Sequence, residues 1–207
     1  GSAQPVKQDA RKANERDKVP HHLRIINKPV KLAHDKVLES LLVSALHAAV
    51  VIEEEDMSAE DAAAIKAAAA EAQQFLDVIA RQFAFVKVAE VTARRRSDQA
   101  KPLILDTDMF LSAIVTALSS TERRFAETVE RTLRIFTESC ETLLGSKVLV
   151  GRLPFFDSLA SRLCAASYEK EMNSKTGGSL GISIVTSRLD LGVGWLRRHE
   201  LKFVRAL

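Results

Sequence analysis

From His34 onward the apolar residues fall at three- and four-residue steps, the spacing that gathers one face of an α-helix. Leu38, Leu41, Leu42, Ala45, Leu46, Ala49 and Ile52 mark the first such face. Glu53, Glu54, Glu55 and Asp56 close that segment in solvent, and their charge opposes the helix dipole, so the end is expected to fray. Ser58 with Asp61 three residues later forms a near capping box. The run "AAAIKAAAAEAQQ" that follows has very high helix propensity. Ile65, Ala69, Ala72, Leu76, Ile79, Phe83 and Val86 then keep a four-three alternation. One helix reaching about Arg94 would hold ~36 residues and measure ~54 Å. Its seam suits either a coiled coil or a long helix lying against a neighbour in a helical array.

The stretch "ARRRSDQAKP" ends that helix in a charged, proline-terminated loop near 94–105. Asp106 or Thr107 caps a short helix carrying Met109, Phe110, Ala113, Ile114, Ala117 and Leu118. Ser119 and Glu122 read as a capping box for a longer helix with the stripe Phe125, Val129, Leu133, Phe136, Cys140 and Leu144, and Gly145 suits the left-handed position after its end. Pro154 fits a first helical turn, with Phe156, Leu159, Leu163 and Ser167 continuing the spacing. Ile182, Val185 and Leu189 lie on a further helix, and Leu196, Phe203 and Leu207 on the last. The terminal "LKFVRAL" is still in full periodicity, so the chain is expected to stop inside or just after a helix. No stretch alternates with period two.

Helix starts near 107, 154 and 194 recur every ~40–47 residues, each opening a two-helix unit, which is the period of HEAT and armadillo arrays. The expected fold is therefore all-α, a HEAT/armadillo-like α-solenoid fragment of antiparallel helix pairs over residues 31–207. Residues 1–30 are polar, basic and broken by Pro5, Pro20 and Pro29, and read as a flexible arm that starts with a Gly1-Ser2 cloning scar.

Hydrophobic content of 46% suffices for a core, while no run of ~18 apolar residues exists to span a membrane. No signal-peptide segment is present. Cys140 and Cys164 lack metal-ligand spacing and fall on buried helical faces, as reduced core thiols of an intracellular protein would. A net charge of +3 is too small to argue for nucleic acid.

"NSKTGGSLG", Asn173 to Gly181, has the composition of a phosphate loop. Such a loop needs a strand, then G-x-x-x-x-G-K-[ST], then a helix. Here the lysine precedes the glycines and the preceding element, "FFDSLASRLCAASYEK", is helical. Gly178 shares a helical face with Ile182, Val185 and Leu189, with Gly177 and Gly181 one turn apart beside it. A ridge without Cβ atoms lets a partner helix approach closely, with Asn173 or Ser174 capping the start. Gly177, Gly178 and Gly181 are thus assigned to packing.

The five histidines, His34 and His47 and the pair His21-His22 among them, show no paired ligand spacing. No G-x-S-x-G surrounds Ser158, Ser161 or Ser167. The acidic run at 53–56 lacks the alternating ligands and central glycine of a calcium loop. The sequence offers no catalytic residue, cofactor or metal. Its basic clusters are Arg94-Arg95-Arg96, Arg123-Arg124 and Arg197-Arg198, all at loops or helix ends, where repeat arrays present binding residues. They read as a solvated rim or as an electrostatic footprint for acidic peptide segments. Nucleic acid is disfavoured because no aromatic residue sits within the clusters.

Tyr168-Glu169, Lys175, Gly177-Gly178, Trp195 and Phe203-Val204-Arg205-Ala206-Leu207 follow a pattern that resembles the helical-repeat region of the TRRAP family, very large pseudokinases of the phosphatidylinositol-3-kinase-related superfamily. The resemblance lies at the C-terminal end, with further support from the helix pair at 107–144. It implies a non-catalytic scaffold segment of a nuclear coactivator subunit in SAGA-like histone acetyltransferase complexes. The implied partners are other subunits of the complex and acidic transcription activators, with no small-molecule substrate and no membrane. Trp195 joins the glycines as a packing residue. A generic HEAT adaptor in cytoplasmic trafficking or translation, or the helical region of an active kinase of the same superfamily, are the other readings.

Overall fold

The computed structural model describes residues 33–51, 57–96, 108–120 and 124–207, with side chains from Lys36 in the first stretch and as far as Thr92 in the second. Among these residues eight helices follow one another without a strand: α1 (Ala33–Ala48), α2 (Ala59–Arg96), α3 (Asp108–Leu118), α4 (Arg124–Leu144), α5 (Lys147–Val150), α6 (Pro154–Ser167), α7 (Met172–Ser187) and α8 (Val193–Ala206). The arm expected at 1–30, the acidic run at 53–56, Glu122 and Arg123 lie outside the described residues.

Helix α2 is continuous over 38 residues. Its start is held as the sequence spacing requires: the Asp61 amide donates to Ser58 Oγ at 3.1 Å, and that hydroxyl donates to the Asp61 carboxylate at 2.6 Å. Packing decides between the two roles left open for this helix. It lies against α4 of the same chain, with Arg131 paired to Asp77 at 3.1 Å, and is a member of a helical array. At its far end Arg94, Arg95 and Arg96 are still helical, where the spacing had put the start of a loop, and residues 97–107 lie outside the described residues.

The core is a column of aromatic rings joining α2, α3, α4 and α6. Phe83 stacks on Phe110 at 4.7 Å between centroids, Phe110 meets Phe136 at 5.7 Å, and Phe136 meets Phe155 at 4.3 Å. Each such fully buried ring contributes roughly 1.5–3 kcal/mol of transfer free energy. Every apolar residue expected on the α3 face is buried, and so are Phe125 through Cys140 on the expected α4 stripe. Gly145 takes the left-handed conformation after α4, with φ +67°.

Four local expectations are corrected. Leu41 is exposed, because α1 buries Leu42, Ala45 and Leu46 on a narrower stripe. Ser119 does not open a new helix: its amide and its hydroxyl both donate to the Val115 carbonyl, so it closes α3. Asn173 and Ser174 do not cap α7, since that helix begins at Met172 with Glu171 in the extended cap position. The fourth correction, to the buried face of α8, shapes the candidate site.

Both cysteines are free and buried. Burial pushes the Cys140 thiol up to about 12, and burial also raises Cys164 despite the opposing pull of Lys202. Thiolate is the reactive form. In the native protein at pH 8, Cys140 is therefore expected to resist Ellman's reagent over a time in which the guanidinium-unfolded chain reacts fully. With an ordinary value of 9.0 for the unfolded thiol, the contribution of this group to stability is fully present below that pH and is lost as pH rises from there toward 12. Rapid native labelling of Cys140, or a stability that does not fall over this alkaline range, contradicts the packing described.

Candidate partner-binding surface

Two joints fix the orientation of the last helices. The first is the glycine ridge of α7. A Cβ on Gly178 would lie 2.6 Å from the Ser167 backbone nitrogen and 2.7 Å from the Leu163 carbonyl oxygen of α6. On Gly177 it would lie 2.5 Å from the Leu118 carbonyl oxygen at the end of α3, and on Gly181 it would strike the Leu163 side chain. Gly178 faces Ser167 while Gly181 faces Leu163, so α6 and α7 run antiparallel. Missing side chains at three positions let one helix sit against two others at backbone distance. These glycines are inside a helix and turned toward protein, which leaves no phosphate loop.

The second joint is the carboxylate of Asp157 on α6. Trp195 Nε1–H donates to Oδ1 at 3.1 Å, and His199 Nε2 lies 2.8 Å from the same oxygen. The Arg198 guanidinium stands 3.8 Å from it and donates to the Gly151 carbonyl at 2.7 Å. The His199 ring is buried, with centroids 4.6 Å from Trp195 and 5.8 Å from Phe203, and its Nδ1 has no hydrogen-bond partner. A proton on Nε2, directed at the carboxylate, leaves the bare nitrogen on that unpartnered side.

This joint turns α8. The apolar spacing points to Leu196, Phe203 and Leu207 as its core face. The structure instead buries Trp195, His199 and Phe203, because Asp157 supplies two of them with a hydrogen-bond acceptor and the helix rotates to meet it. Leu196 is only half-buried and Leu207 is 77% exposed. The displaced residues line an open groove of about 450 Å³ between α7 and α8, with Ile182, Leu196, Arg197, Glu200, Val204 and Leu207 among its walls.

The basic residues have separate fates. Arg94, Arg95 and Arg96 end α2. Arg124 opens α4 exposed and donates to the Val51 carbonyl at 3.2 Å. Arg198 is committed to Gly151 and Asp157, whereas its neighbour Arg197 is exposed on the groove wall. Among the described residues no hydrogen bond or ion pair joins one cluster to another. Elsewhere on the surface Lys147 is paired with Asp190 at 3.0 Å, and that hydrogen bond raises its pKa.

Asp157 and His199 are the residues that sequence reading misses. A lone His in the last helix and a lone Asp in the first turn of α6 carry no spacing signal, since their partnership spans the turn of the chain that includes all of α7. Among the described residues no group of three or more His, Cys, Asp or Glu side chains is placed to hold a metal ion, and no helix is long and apolar enough to cross a membrane.

Helices packed pairwise on their neighbours, with successive faces exposed at the ends of the stack, define an α-solenoid segment. The family described as the Tra1 HEAT repeat ring region matches residues 10–207, and the chain belongs to it. It is 30% identical over 103 residues, 50% of its length, to the transformation/transcription domain-associated protein of Danio rerio. To the protein of the same description from Homo sapiens it is 28% identical over 116 residues, 56% of its length. Each match spans only 3% of the relative. No solved structure matches the chain significantly.

Proposed function

We propose that this chain is a non-catalytic scaffold segment of a histone acetyltransferase coactivator subunit that receives acidic transcription activators in the nucleus. The family match over residues 10–207, together with the similarity of about half the chain to two proteins whose name ties them to transcription, supports this reading. The described residues suit such a role: a helical stack whose last helix is joined to α6 through Asp157, with Arg124 exposed at the start of α4. Acidic activation segments are disordered chains in which apolar residues are set among carboxylates. Such a segment binds by long-range attraction followed by shallow burial, and the ordering it undergoes on binding keeps affinity at the order of micromolar or poorer.

The test is titration of a labelled acidic activation peptide into the wild-type chain and into a variant with Arg94, Arg95, Arg96, Arg123 and Arg124 all changed to serine. Weaker binding by the variant is expected at low ionic strength, with the difference narrowing at physiological salt, where charges are screened beyond ~8–10 Å. The helical circular-dichroism spectrum should not change. Equal affinities at low salt remove these arginines from the reading, and no binding by wild type at high micromolar peptide removes the activator.

A further inference from the structure

We draw no further inference here: the strongest candidate, the side-chain cluster between α6 and α8 in which the buried His199 ring keeps an unpartnered Nδ1, belongs to the joint already described, and nothing among the described residues shows what that nitrogen would bind.

Discussion

Replacing Trp195 with alanine is expected to destabilise the fold by about 3–5 kcal/mol, the range for deleting a fully buried large aromatic side chain. The indole is 2% exposed and contacts both His199 and Phe203, so its removal opens a cavity between α6 and α8 and also deprives Asp157 of one donor. Trp195→Phe separates the two contributions. It keeps most of the apolar volume and loses the 3.1 Å hydrogen bond to Asp157, so a smaller loss of ~1–2 kcal/mol is expected. Urea unfolding followed by circular dichroism measures both. An alanine variant within 1 kcal/mol of wild type would show that α8 is not anchored through this residue.

Gly178→Ala is expected to destabilise by ~2–3 kcal/mol, toward the upper end of the usual overpacking range. The added carbon meets the backbone of α6, at 2.6 Å from Ser167 N and 2.7 Å from Leu163 O, and backbone cannot rotate away. This loss must also exceed the ~1 kcal/mol that alanine gains over glycine in a helix interior. The natural control is Gly194→Ala on α8, where a Cβ would meet nothing within 4 Å. There the propensity gain stands alone and stabilisation of ~0.5–1 kcal/mol is expected. Gly181→Ala falls between, because its first obstacle is the Leu163 side chain rather than backbone. Unfolding midpoints for the three variants should order as 194, wild type, 181, 178. Thermal melts with ATP and magnesium give an independent check: a wild-type melting temperature raised substantially by nucleotide would overturn the packing role of these glycines.

Much of the helical architecture was legible because the apolar residues carry it locally. The α3 and α4 stripes, the Ser58–Asp61 cap of α2 and the left-handed Gly145 each depend on residues within a turn or two of one another, so spacing alone identifies them. Short-range caps were less secure. Ser119 matches the letters of a capping box yet closes the preceding helix, since a serine hydroxyl bonds the carbonyl four residues back as readily as an amide ahead. The four-residue α5 gave no periodic signal, being barely one turn long.

The sequence by itself determined that this protein is a stack of amphipathic helices, that its glycine segment is no phosphate loop, and that it resembles the TRRAP family. These follow from periodicity, from the order of residues in a motif and from a run of matching positions, all read along the chain. Tertiary structure alone decided which way α8 faces, that Arg198 is engaged by Gly151 and Asp157, and where a groove opens. Periodicity fixes a helical face only to within about one residue, some 100° of rotation. The half-exposed Asp157 carboxylate, reached by Trp195 and His199 across the whole of α7, set that last rotation by taking donors from residues where the apolar pattern would have put leucine.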